Sequence, residues 1–156
     1  MSTVIIRDAT HDDADALLAV HQAAIGTLGR EAYTEGECES WAFGLTSSGY
    51  VNSMDAGETF VAAICADTLA AFCSYMDNEI AGLFVHPQWS RQRVASKLLS
   101  TAEGRMRQSG VKKIILDAAA SAVPFYQAAG YVIECQTPWR TRGGLSLSSY
   151  RMTKDC

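Results

Sequence analysis

The residues with the clearest chemical potential form the run Phe84-Val85-His86-Pro87-Gln88-Trp89-Ser90-Arg91-Gln92-Arg93-Val94-Ala95-Ser96-Lys97-Leu98-Leu99. An apolar stretch, Ile80 to Val85, ends close to a proline. A short polar turn follows, and a helical pattern then opens with two arginines. The first turn of a helix leaves backbone N–H groups without partners, and the helix dipole places partial positive charge there. A strand that feeds the chain into such a turn makes an anion site from backbone alone. Arg91 and Arg93 add charge suited to phosphate. Taken alone, the segment reads equally well as an ordinary surface helix start with solvated arginines.

The elements around this run are predicted by periodicity and by local start and stop signals. Residues 3–7 read as a strand, and Thr10 with acids behind it starts a helix over 12–26. Thr34-Glu35-Gly36-Glu37 starts a second helix, and a short polar helix follows near 48–54. The period then changes to that of strands at 58–66, 68–75 and 79–85. Residues 91–109 form the longest helix, with Val94, Leu98, Leu99 and Met106 on one face and Gly110 as its stop. A strand at 113–118, a short helix at 121–129 and strands at 131–136 and 145–152 complete the chain. The stretches Pro138-Trp139-Arg140 and Arg142-Gly143-Gly144 connect the last two strands. Helices interleaved with strands imply an α+β fold, with a mixed, mainly antiparallel sheet of about seven strands covered by helices on both faces.

Composition bounds what such a fold can do. The chain has 156 residues, 48% hydrophobic and 19% charged, which fits one well-buried domain spanning 1–156 and argues against disorder. A net charge of −4 offers no basic stripe for nucleic acid. Five cysteines, odd in number and widely spaced, fit neither a disulfide framework nor a zinc site, and no metal is expected. Cys65, Cys73 and Cys135 lie in strand-like runs, where buried inert thiols are expected. Neither a signal peptide nor a membrane span is expected, which makes a reducing cytoplasm the default location.

The element order, with a strand, a phosphate turn and a long helix at its centre, resembles the GNAT superfamily of acyl-CoA-dependent N-acyltransferases across the whole chain. The family's phosphate signature is Gln/Arg-x-x-Gly-x-Gly/Ala. Here it reads Ser90-Arg91-Gln92-Arg93-Val94-Ala95, so Ser90 replaces Gln or Arg, Arg93 replaces glycine, and only Ala95 agrees. Val85-His86-Pro87 and the run Phe125-Tyr126-Gln127-Ala128-Ala129-Gly130-Tyr131 resemble the family more closely, the latter its Phe-Tyr-x-x-x-Gly-Phe/Tyr element. Ala119 stands where the family often has an asparagine near the cofactor, and Ser121 is the candidate substitute.

The resemblance implies transfer of an acetyl group from acetyl-CoA to a primary amine of a small molecule or peptide, without a covalent enzyme intermediate. It makes Tyr126 the acid near the cofactor sulfur. Glu79, which opens the central strand eleven residues before Ser90, is implied as the base. Strand alternation is expected to put Glu79, Ala81, Leu83 and Val85 on one face. The implied cofactor contacts are Phe84, Val85, Arg91, Gln92, Arg93, Val94, Ala95, Ser96, Ser121 and Tyr126, with the Val85 N–H offered to the thioester carbonyl. His86 is expected to shape the turn and His21 to be structural. Tyr33, Glu37, Trp41 and Tyr75 are the candidate acceptor liners, with residues 139–144 as a wall over them. The competing expectation is a coenzyme A-binding module without catalysis, suggested by the departures at Arg93 and Ala119. A homodimer through the last strand is a further expectation of the resemblance.

Overall fold

The run Thr68–Met76 is buried along most of its length because both faces of the strand it forms are covered. Phe72, with Phe60, packs against Leu17, Val20 and Tyr50 on one side. Ala71 and Cys73 join Leu98, Leu99, Ala102 and Met106 on the other. A computed structural model, describing residues 3–90 and 93–156, places this strand inside a seven-stranded sheet. The strands are β1 (Val4–Asp8), β2 (Thr59–Cys65), β3 (Thr68–Met76), β4 (Glu79–Val85), β5 (Lys113–Ala118), β6 (Val132–Arg140) and β7 (Ser146–Asp155). Their spatial order is β1-β2-β3-β4-β5-β7-β6. Helices α1 (Ala14–Thr27), α2 (Glu35–Ala42) and α3 (Ser47–Asp55) precede β2, α4 (Val94–Gln108) links β4 to β5, and α5 (Val123–Ala128) follows β5. Among the described residues no helix is long and apolar enough to cross a membrane.

Four local signals explain most of these boundaries. Thr34 accepts from the Glu37 N–H at 3.2 Å while Glu37 accepts from the Thr34 N–H at 2.9 Å, a reciprocal cap that starts α2. The Thr46 hydroxyl accepts from the Gly49 N–H and starts α3. Gly110, at φ +93°, ends α4 in the left-handed conformation that carbonyl capping requires. Ala66 and Asp67, both at positive φ, make the tight turn between β2 and β3.

All sheet pairings are antiparallel except that of β4 with β5, which is parallel and covers only Glu79↔Ile115 and Ile80↔Leu116. Beyond Ile80 the two strands part. The β3–β4 register passes from Tyr75↔Ile80 to Ser74↔Gly82, so Ala81 is an extra, bulged residue. That bulge overturns the expected common face of Glu79, Ala81, Leu83 and Val85. Leu83 and Val85 pack with Ile80 on the α4 side. Glu79, one residue from Ile80, faces the opposite side, where Phe84 packs against the α1 cluster.

Three other expectations are corrected. Pro138, Trp139 and Arg140 belong to β6 and pair with Ser148, Leu147 and Ser146. A proline is tolerated there because β6 is the edge strand, where a missing N–H costs no ladder bond. Cys135 is exposed, at a register shift on that same edge, whereas Cys65 and Cys73 are buried as expected. The long helix begins at Val94, with Arg93 as its N-cap.

One charged residue sits on the buried stripe of α4. Glu103 is 5% exposed, and its Oε2 accepts from the Tyr131 hydroxyl at 2.8 Å and from Lys154 Nζ at 3.1 Å. This triad ties α4 to the start of β6 and to β7. It also raises the Tyr131 hydroxyl pKa well above the ordinary phenol range, through burial first and the Glu103 carboxylate second. Removing one partner of a buried pair leaves an uncompensated charge. Lys154→Met is therefore expected to cost about 3 kcal/mol in urea unfolding, the low end of that effect because Tyr131 still donates. Lys113→Met, which breaks the surface pair with Glu134, is expected to cost less than about 1 kcal/mol. Equal losses for the two variants would remove Glu103 as an anchor.

Candidate active site

Parting of β4 from β5 opens a cleft of about 800 Å³ whose lining runs from Glu79–Val85 across to Leu116, Asp117 and Ala118. This is the size of a small-molecule site. Because β4 keeps its pairing with β3 up to Val85, only one of its edges is free. The His86 N–H donates to the Ala70 carbonyl at 2.8 Å, toward β3. Backbone groups alternate in direction along a strand, so Phe84 shares the parity of His86, while Leu83 and Val85 direct their N–H and C=O groups into the cleft. The Val85 amide thus faces the cleft, as expected. Phe84 lines it through its ring, and Leu83, which was not among the expected contacts, offers backbone in its place.

At the far end of β4 the helix α4 points its first turn toward the chain's turn at 86–90. Its first full backbone bond runs from the Lys97 N–H to the Arg93 carbonyl at 3.2 Å. The N–H groups of Val94, Ala95 and Ser96 therefore belong to the open first turn, where a helix receives anions. Ala95 lines the cleft. The Val94 side chain is core, 1% exposed, so only its backbone is available, and Ser96 and Arg93 are exposed. Arg91 and Gln92 lie outside the described residues. Arg93 has φ +59° and ψ +18°, the left-handed region. That backbone angle gives glycine a physical reason at this position, and arginine accepts it at a cost of roughly 1–2 kcal/mol. His86 shapes the turn, its Nδ1 accepting from the Gln88 N–H at 3.1 Å.

Tyr126, from α5, lines the cleft beside Ser121, Ala122 and Phe125. Its hydroxyl forms no hydrogen bond among the described residues, and burial, with Cys73 nearby, raises its pKa well above the ordinary phenol range. A phenol in that state keeps its proton and can only give it to a strong base formed beside it. Glu79 also lines the cleft and is exposed at its lower end. Its charge acts on Arg151, which is held by Asp117 through bonds of 3.0 and 3.2 Å.

The other half of the cleft is aromatic. Trp41 meets Trp139 at 5.0 Å and Tyr33 at 5.8 Å, both edge-on, and lies tilted against Phe84 at 6.0 Å. Tyr33 is fixed by its hydroxyl, which donates to the Ser148 carbonyl at 2.5 Å. Two expected liners are absent from this wall. Glu37 caps α2, and Tyr75 packs on the α4 side, beside Arg105, because alternation from Phe72 puts it on the opposite face.

His21 was expected to be structural, yet it lines the cleft. Its ring lies 4.0 Å from that of Phe84, its Nδ1 is 2.9 Å from the Tyr50 hydroxyl, and its Nε2 is buried without a partner. Burial, helped by the Arg142 charge, lowers its pKa to about 4. No sequence signal separates such a histidine from a packed one, since both lie on the apolar stripe of α1.

The model of an acetyltransferase (GNAT) domain matches residues 30–154. The chain is 26% identical over 147 residues to the uncharacterized N-acetyltransferase YafP of Escherichia coli, covering 90% of this chain and 93% of that protein. Among solved structures, a GCN5-related N-acetyltransferase from Rhodopseudomonas palustris superposes with a TM-score of 0.92 at 25% identity, over 100% of this chain and 98% of that one. The PaiA N-acetyltransferase of Thermoplasma acidophilum, solved with coenzyme A, shares the fold with a TM-score of 0.82 at 21% identity, over 99% of each chain.

Two outcomes follow from the unusual backbone and the buried imidazole. Arg93→Gly is expected to stabilise the fold by about 1 kcal/mol, a rise in Tm of roughly 2–4 °C; a fall in Tm would show that Arg93 is held by compensating contacts. His21 has a folded pKa below its unfolded 6.5, so between those values the unfolded chain binds more protons and stability falls as pH falls. Between pH 7 and pH 5 this amounts to about 2 kcal/mol. In His21→Gln that part of the slope should vanish, and identical slopes in both proteins would contradict the assignment.

Proposed function

The chain belongs to the GNAT acetyltransferase family, and on that premise we propose that it moves an acetyl group from acetyl-CoA to the amine of a small molecule or peptide by direct attack. The observation that carries this reading is the meeting, in one cleft, of the free β4 edge at Val85, the open first turn of α4 and the unbonded hydroxyl of Tyr126. Acetyl-CoA carries the acetyl group already activated as a thioester, so no covalent enzyme intermediate is required.

In this reading the protein binds, orients and moves protons. The N–H groups of Val94, Ala95 and Ser96 receive the pyrophosphate at the positive end of α4. The edge of β4 at Leu83 and Val85 pairs with the pantetheine arm, and the Val85 N–H stabilises the oxygen that becomes negative during attack. Tyr126 Oη gives its proton to the departing thiolate. An alkylammonium near pKa 10 must first lose a proton, and Glu79, whose carboxylate is exposed at the cleft floor, receives it directly or through water. The bulge at Ala81 supports that role, because it turns Glu79 toward the aromatic half of the cleft.

Acetyl-CoA at ~100 times its Kd is expected to stabilise the fold by about 2.7 kcal/mol, and Tyr126→Phe to lower kcat about 100-fold with that stabilisation retained. The measurements are thermal unfolding with and without acetyl-CoA, and thiol release with amines. Absence of any stabilisation would sink the reading. Equal turnover in Tyr126→Phe would take Tyr126 out of the mechanism, and an unchanged pH–rate profile in Glu79→Gln would do the same for Glu79.

A further inference from the structure

The aromatic half of the cleft carries a cation whose orientation is built into the fold. Arg142 lines the cleft from the loop joining β6 to β7, and among the described residues it forms no ion pair. That loop is clasped to α2 by Ser40, itself only 8% exposed. The Ser40 hydroxyl lies 2.5 Å from that of Thr141 and accepts from the Leu145 N–H at 3.3 Å, while its carbonyl accepts from the Gly143 N–H at 3.2 Å. Gly143 permits this contact, since a Cβ there would stand 2.7 Å from the Ser40 Cα. The Arg142 stem lies over Gly44, where a Cβ would come within 3.3 Å of its Cδ. Glycines at 44 and 143 and a buried hydroxyl pair thus hold one arginine over the cleft without contributing to the main core.

The position of its charge is fixed from a second side. The Arg142 guanidinium acts on both His21 and Tyr50, so it lies toward the wall where His21 stacks on Phe84. Trp41, Trp139 and Tyr33 line the same cleft, as does the Glu79 carboxylate. The cleft lining thus carries two arginines, Arg140 and Arg142, a set of aromatic rings and the carboxylates of Glu31, Glu79 and Asp117, the last paired with Arg151. This matches a ligand with a carboxylate, a flat or bulky apolar group and an ammonium. A polyamine, which carries no anion, gains nothing from Arg142 and meets its charge as repulsion.

We infer that the acetyl acceptor is a free amino acid with an aromatic or large apolar side chain, its carboxylate held by Arg142 and its side chain by Trp41, Trp139 and Tyr33. This rests on the acetyl-transfer reading above and names its substrate class. The step forms the N–C bond of an N-acetyl amino acid and breaks the thioester C–S bond. The nitrogen loses two protons, one to Glu79 or water before attack and a second from the tetrahedral intermediate that restores the proton Tyr126 gives to the thiolate, so the products are the amide, free thiol and one released proton.

The test pairs catalysis with binding. Thiol release is measured with phenylalanine, phenylalaninamide, phenethylamine and spermidine, and phenylalanine binding is followed through the emission of Trp41 and Trp139. Phenylalanine is expected to exceed its amide and phenethylamine at least 10-fold in kcat/KM. In Arg142→Gln that ratio should collapse toward one through a raised KM for phenylalanine, with partial recovery in Arg142→Lys. An amide as good as the acid, or an equal loss for both in Arg142→Gln, overturns the inference and leaves acetyl transfer standing. Absence of thiol release with every amine of the panel defeats the acetyl-transfer reading instead. The emission titration then still decides the subsite: phenylalanine binding lost in Arg142→Gln supports it, and no phenylalanine binding to the unmodified protein refutes it.

Discussion

The constraint on which this molecule depends is the parting of two parallel strands after two paired residues. β4 is bound to β3 along its length, and β5 is bound to β7 along its own, so each strand keeps one satisfied edge. Parallel neighbours are joined by a long crossover, here α4, and no turn forces them to stay together. The extra residue at Ala81 bends β4 and increases its twist at the point where pairing with β5 stops. An unpaired interior edge would ordinarily invite another strand. In this fold it is enclosed by α5 and the aromatic wall, which leave room for an extended ligand and little else.

From that opening follows a division of electrostatic labour. The groups deepest in the cleft are held neutral by burial, Tyr126 by an elevated pKa and His21 by a lowered one. Formal charges stand at its rim and ends: Glu79 at the floor, Arg142 on the loop, and the positive end of the α4 dipole where the strand delivers the chain. In the proposed acetyl transfer the pyrophosphate falls to backbone amides and a helix terminus, which carry no desolvated formal charge of their own. Among the described residues the one buried carboxylate is that of Glu103, which belongs to the packing of α4 against β6 and β7 and is partnered by Tyr131 and Lys154.

The departures from the family's phosphate loop acquire a physical meaning in this frame. Glycine at the position of Arg93 answers a backbone angle of φ +59°, and the arginine that stands here keeps the N–H and tolerates the angle. The groups proposed to bind phosphate are main-chain amides, so a side-chain substitution alters strain and local charge without removing a donor. A match at only one position of that motif therefore removes none of the amides of Val94, Ala95 and Ser96.

Much of the fold was legible because its signals are local. Strands β4 and β5 begin and end where alternation and flanking turns put them, and the caps at Thr34 and Gly110 need no partner beyond their own helix. Tyr126, Val85 and Trp41 were legible as cleft residues because a motif or an element carried them there. The face of Glu79 was not, since the bulge is defined only by the register of β3 against β4. Pro138 and Trp139 reached the site through the register of an edge strand, and Glu37 and Tyr75 were lost to it through a cap and a strand face. The sequence by itself determined the order of elements, because periodicity and capping act within a few residues, and its motifs at 85–87 and 125–131 carried the likeness to the family. Only the tertiary structure decided which edge of β4 is open and which way Glu79 turns. It alone brought His21 and Arg142 to the same wall, because those positions depend on contacts between segments far apart in the chain.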